Sequence, residues 1–154
     1  MNSAERVRKL RVRKLSAAAL QSAMDEDRGG VTAAMAALIS ECGGAGISFA
    51  LRAWIDTLVD AQQQAGLLPA GESVRARPVW IEDDTGQVDT DANQVPAAAR
   101  WAGQLATARL AMDEDMVTAL IAAIPPGRDA AREHISAVLT GTALGLNSLR
   151  GVSN

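Results

Sequence analysis

The chain comes close to repeating itself. Ala23-Met24-Asp25-Glu26-Asp27 returns as Ala111 to Asp115, and Ile47-Ser48-x-x-Leu51 returns as Ile135-Ser136-x-x-Leu139, both 88 positions on. A third match, Val31-Thr32-Ala33 against Val117-Thr118-Ala119, falls two residues out of step. It reads as if Arg28-Gly29-Gly30 were shortened in the second copy and the turn at Pro125-Pro126-Gly127 lengthened. Self-similarity at a fixed spacing constrains architecture more tightly than residue propensities do, because each copy must fold as the same small unit. The expectation is an all-α protein: a helical bundle of two duplicated three-helix repeats in pseudo-twofold arrangement, joined by a short extended or hairpin crossover. Repeat one covers 16–65, the crossover 66–95 and repeat two 96–150, within a single helical domain from 16 to 154.

Helical periodicity supplies the elements. Ser16 to Met24 is an alanine-rich helical run, and the turn from Asp25 to Gly30 ends it, since glycine costs about 1 kcal/mol inside a helix. Val31 to Ile39 is a short apolar helix closed by Gly43, Gly44 and Gly46. Ile47, Leu51, Trp54, Ile55 and Leu58 then form one wall of a long helix that stops at Gly66. Its other wall carries Ser48, Arg52, Asp56 and Asp60. Pro69, Gly71, Pro78, Gly86 and Pro96 break the pattern between the copies, and the alternation around Val79-Trp80-Ile81 suggests a hairpin or extended strand there. Pro96 suits a helix start. A break is expected at Asp113, an N-cap followed by acidic residues, and the final helix runs from about Asp129 to Leu149.

Charge is divided unevenly. Residues 5 to 15 hold six basic groups against Glu5, +5 in all, so with −3 for the whole chain the remainder carries −8. The basic stretch is a tandem pentad, Arg6-Val-Arg-Lys-Leu10 and Arg11-Val-Arg-Lys-Leu15, whose apolar members scatter around a helical wheel. Residues 1–15 are therefore expected to be a loose, disordered leader. Arg6, Arg8, Lys9, Arg11, Arg13 and Lys14 are its candidate nucleic-acid contacts, with strong salt dependence if they meet phosphates. The acidic body, one Phe and no Tyr give little for specific readout. The preference for Arg over Lys and the abundance of Ala fit a GC-rich bacterial or phage genome.

Catalytic constellations are sparse. The two Asp-Glu-Asp triplets could meet around a divalent cation, but such residues also serve as caps and solvated turns. Asp89-x-Asp91-x-Asn93 matches the opening of a calcium loop, yet Gln94 stands where that loop needs glycine and Arg100 where it needs glutamate. His134 is the sole histidine, and its neighbour Glu133 cannot supply the three-residue spacing of a di-metal bundle. Cys42 reads as a small apolar filler. No phosphate-cradling glycine loop and no nucleophile elbow occur. Neither catalysis, a metal nor a cofactor is expected.

The single cysteine and the lack of a signal sequence point to a cytoplasmic setting. The longest uncharged stretch, Ile135 to Leu149, is too short to span a bilayer, so no membrane partner is expected. That stretch is the strongest pointer to a partner. Ile135, Val138, Leu139, Thr142, Leu146 and Leu149 line one face, while Ala137, Gly141, Leu144, Gly145 and Ser148 cover much of the other, so the helix should be buried on both sides. Either a central position in the monomer or a homodimer interface satisfies that demand; for the latter the candidate residues are Ala137, Gly141, Leu144, Gly145 and Ser148 together with Phe49, which projects away from the Trp54 wall. The expected function is a non-enzymatic helical interaction or regulatory protein that self-associates through its C-terminal helix. The alternatives are nucleic-acid association through the basic arm and a small-ligand pocket between the repeats lined by Trp54, Trp80 and Trp101.

Overall fold

Alanine-rich runs with apolar residues three and four apart fold here as five helices among the described residues. The computed structural model describes residues 2–69, 71, 73–74, 80–81, 88–89 and 95–153, with backbone alone for 80–81, 88–89 and 152–153. Helix α1 spans Ser3–Met24, α2 Arg28–Gln64, α3 Ala97–Leu110, α4 Glu114–Ala122 and α5 Arg128–Ser153. Between α2 and α3, β1 (Trp80–Ile81) pairs antiparallel with β2 (Val88–Asp89), Trp80 opposite Asp89 and Ile81 opposite Val88. The remainder of the expected calcium-like motif, Asp91 to Gln94, lies outside the described residues.

The chain divides into two compact units, one made of Met1–Ala61 with Leu139–Asn154 and the other of Gln62–Val138. In the first, the buried side chains are Val12, Leu15, Ala19 and Leu20 of α1; Ala34, Met35, Leu38, Ala50, Leu51, Trp54 and Ile55 of α2; and Leu139, Ala143 and Leu146 of α5. Two polar ties span this core. The Trp54 indole N–H donates to the Ser16 carbonyl at 2.9 Å, and the Asn147 amide donates to the Met24 carbonyl at 3.1 Å, closing the C-terminal end of α1. In the second unit Val95, Trp101, Leu105, Ala108, Val117, Ile135 and Val138 are buried. There the Val74 amide donates to the Leu110 carbonyl at 2.8 Å and closes α3.

The basic leader is not loose. It is the first half of α1, started by a capping box in which Asn2 Oδ1 accepts from the Glu5 amide at 2.8 Å and Glu5 Oε2 accepts from the Asn2 amide at 3.2 Å. A tandem pentad hides this from a search for amphipathicity, because five residues rotate a helix by about 140°. Val12 and Leu15 therefore face the core while Val7 and Leu10, the same residues one pentad earlier, are 66% and 65% exposed.

Glycines break α2 once, not three times. Gly43 leaves helical geometry (φ 62°, ψ −158°), whereas Gly44 and Gly46 remain helical. The break presses Gly46 against the Cys42 side chain and to 3.7 Å from Val12 Cγ2, measured from where a Cβ would stand. Cys42 is half-buried, not fully enclosed.

The turns correct the expected register. After α1, the Asp25 amide donates to Gln21, Glu26 to Ala23, Asp27 to Ser22 and Val31 to Asp27. After α3, Ala111 donates to Thr107, Met112 to Arg109, Asp113 to Ala108 and Val117 to Asp113. Every donor and acceptor in the second set lies 86 positions beyond its counterpart, as 25 to 111 and 27 to 113 show. Both are Schellman closures with a left-handed, non-glycine residue, Glu26 (φ 57°) and Met112 (φ 56°). The next residue caps the following helix: Asp27 Oδ1 accepts from Gly30 at 3.0 Å, and Asp113 Oδ1 from Met116 at 3.1 Å. The shared Met-Asp-Glu-Asp letters thus hold different posts in the two turns, and Val31-Thr-Ala is the in-step match. Gly29 and Gly30 belong to the first turn of α2 instead of the link before it.

Candidate interaction surfaces

Helix α5 is one-sided. Ile135, Val138, Leu139, Thr142, Ala143 and Leu146 are buried, while Thr140, Gly141, Leu144 and Ser148 are exposed, Leu144 at 59%. Within the single chain one side is covered and the other is open, and the small-residue ladder divides. A Cβ at Gly145 would stand 2.8 Å from Leu58 Cδ1, so this glycine admits a side chain of the same unit. A Cβ at Gly141 would meet nothing within 4 Å. Ala137 is half-buried, and the Ser148 hydroxyl turns back to the Leu144 carbonyl at 2.9 Å. Nothing charged interrupts the helix between Glu133 and Arg150. Phe49 is 38% exposed.

Helix α1 offers a surface of the opposite kind. Residues 3–10 are exposed on every side, and Arg6, Arg8, Lys9, Arg13 and Lys14 have no acidic partner among the described residues. Arg11 differs. Its Nε and Nη2 reach Glu41 Oε2 and Oε1 at 2.6 and 3.0 Å, a two-pronged clasp onto α2 just ahead of Gly43. The hydrogen bond to Arg11, with its charge, holds the Glu41 carboxyl below the usual value, and Glu41 raises Arg11 in turn.

Two tryptophans are buried, each with its indole N–H on a backbone carbonyl. Trp54 is 1% exposed with its N–H on Ser16, and Trp101 is 7% exposed with its N–H donated to the Leu120 carbonyl at 2.8 Å. They belong to different compact units, and the Trp80 side chain lies outside the described residues. His134 packs edge-on to Trp101, ring centroids 5.4 Å apart, and its Nδ1 lies 2.8 Å from the Ala130 carbonyl.

The acidic triplets serve the backbone and their neighbours. Gln21 donates to both oxygens of Asp25 at 3.0 and 3.1 Å, Asp27 and Asp113 cap helices, and Glu114 pairs with Arg109 at 3.1 Å. Among the described residues no group of three or more His, Cys, Asp or Glu is placed to hold a metal ion. Helix α2 contains an 18-residue window of mean hydropathy 1.5, of which 33% is buried, long and apolar enough by composition alone to cross a membrane. Within α2, Gly43 leaves helical geometry and Ala34, Met35, Leu38 and Trp54 are buried.

Sequence reasoning passed over two features of these surfaces. One is the exposed Val7–Leu10 pair, which the 140° rotation between pentads would have revealed. The other is Glu41 as the anchor for Arg11, a contact thirty positions distant for which the sequence carries no local signal. No protein-family model matches the sequence, and no curated protein or solved structure matches it.

Proposed function

We propose that this is a helical interaction protein whose partner is a second copy of itself, docked on the exposed strip of α5. The observation that carries the reading is the open space over Gly141 beside an exposed Leu144 on a helix face without charge. That pair is self-complementary. An antiparallel twofold pairing centred between Thr142 and Ala143 sets Leu144 of one copy over Gly141 of the other and Ala137 beside Ser148. A parallel pairing stacks Leu144 on Leu144 and brings Glu133 against Glu133, which like-charge repulsion opposes. The strip from Ala137 to Ser148 is only about 17 Å long, so the contact belongs to the small, weak class of interfaces unless Phe49 or other surfaces extend it.

The same reading treats the chain as two three-helix repeats of common origin, the parts of α2 before and after Gly43 counting as two helices. Support comes from the two turns that repeat their hydrogen bonds 86 positions apart. The buried series Ala50, Leu51, Trp54 and Ile55 also corresponds to Val138, Leu139, Thr142 and Ala143, 88 positions on. Where the first long helix carries Arg52, Asp56 and Asp60, the second carries Thr140, Leu144 and Ser148. Duplication supplied two similar helices, and the loss of charge from one outer wall made it sticky.

Gly141→Leu tests the proposal, because a Cβ at this position meets nothing within 4 Å among the described residues. Light scattering after size-exclusion chromatography is expected to show concentration-dependent dimers for the parent and monomers for the variant, at an undiminished melting temperature. A parent that stays monomeric to high micromolar concentration overturns the reading.

A further inference from the structure

We infer that the outer stripe of α1 is a docking surface for an anionic lipid surface, on which the helix lies with Val7 and Leu10 turned toward the acyl boundary. The stripe follows from helical geometry: Arg6, Val7, Leu10, Arg13, Lys14 and Ala17 recur at three- and four-residue intervals, and all are exposed. It contains no acidic residue. Glu5, the nearest, is engaged with Asn2 in the capping box on another side of the helix.

Three observations select the occupant. Charge is the first: a stripe with three unpaired cations, flanked by Arg8 and Lys9 in the projecting turns, is attracted to a negative surface although the rest of the chain is acidic. Apolar exposure is the second. Val7 and Leu10 are about two-thirds exposed and adjacent on the stripe, between the cations. Phosphates of a nucleic acid reward the cations but leave these two aliphatic groups in water, whereas the boundary between headgroups and acyl chains accepts both. Order is the third: the capping box at Asn2 and the Arg11–Glu41 clasp hold the projecting turns helical before any ligand arrives, so little conformational freedom remains to be lost on binding.

The test uses the full-length protein and vesicles of phosphatidylcholine alone or mixed with phosphatidylglycerol, assayed by co-sedimentation at low and physiological salt, with duplex DNA binding followed in parallel. The expected result is binding to the mixed vesicles alone, weakened by salt. Arg6→Gln with Lys9→Gln should weaken it about fivefold per charge removed, and Leu10→Ser about tenfold. Both variants alter exposed residues, so unchanged helical content and melting temperature will show that the fold is intact. Val7→Ser and Leu10→Ser variants that bind vesicles as well as the parent overturn the proposal, as do equal binding to neutral vesicles and binding to DNA without binding to vesicles. The outcome is independent of self-association, because the monomeric Gly141→Leu variant keeps the whole stripe.

Discussion

At the scale of single residues, the two turns show how letters mislead when roles are set by backbone geometry. Asp25-Glu26-Asp27 and Asp113-Glu114-Asp115 are identical in sequence, yet the first runs C-cap, left-handed residue, N-cap, while the second runs N-cap and first helical turn. What the turns share is invisible as a pattern of residue types: a left-handed residue, Glu26 or Met112, just before a capping aspartate. A non-glycine residue in that conformation carries a penalty on the order of 1 kcal/mol that glycine avoids. Met112 is 64% exposed, so little packing is lost when it is replaced. Met112→Gly is therefore expected to raise unfolding stability by about 1 kcal/mol in urea titrations, and a loss of stability would contradict the assignment of strain to this position.

At the scale of elements, class and many boundaries were legible from periodicity. Pro96 does precede α3, Asp113 caps α4, and Gly66, with φ 77°, closes α2 by the same pair of bonds as the other two turns. The state of the N-terminal segment was not legible, because whether Val12 and Leu15 have a core to face depends on residues far along the chain. The clasp that fixes this element also makes its attachment pH-dependent. Glu41 titrates below the ordinary carboxylate value in the folded protein, so the stabilisation is present above that ordinary value and is lost as pH falls through the lowered folded one. Arg11, raised from an already high value, stays charged throughout that window. Melting temperatures of the parent and Glu41→Gln are expected to differ near neutrality and to converge in acid. A gap that persists in acid would assign the effect of the substitution to packing. Both side chains are over 40% exposed, so the difference will be small and will shrink with added salt.

At the scale of the whole molecule, the chain divides into two compact units. Periodicity reports which face of a helix is apolar but not which other helix will cover it, so the division of the α5 ladder was not legible: Gly145 lies against Leu58, while a Cβ at Gly141 meets nothing within 4 Å. Helix α5 belongs to the second unit as far as Val138 and to the first from Leu139 onward. A chain ended after Val138 loses Leu139, Ala143 and Leu146 from the first core, together with the Asn147 bond to Met24. Hydrogen exchange on that truncation is expected to show α1 amides stripped of protection, and retained protection would mean that α1 and α2 suffice for the first core.

That division has a consequence for how the protein is born. Helix α1 and the last part of α5 belong to one core though more than a hundred residues separate them in sequence, and a hydrogen bond joins residues 24 and 147. During synthesis α1 and α2 can cover one another, but the part of their apolar surface that α5 covers stays open until the intervening chain is made, and such delays expose a nascent chain to aggregation. The cations of α1 give that segment a local positive charge, which opposes the close approach of like segments.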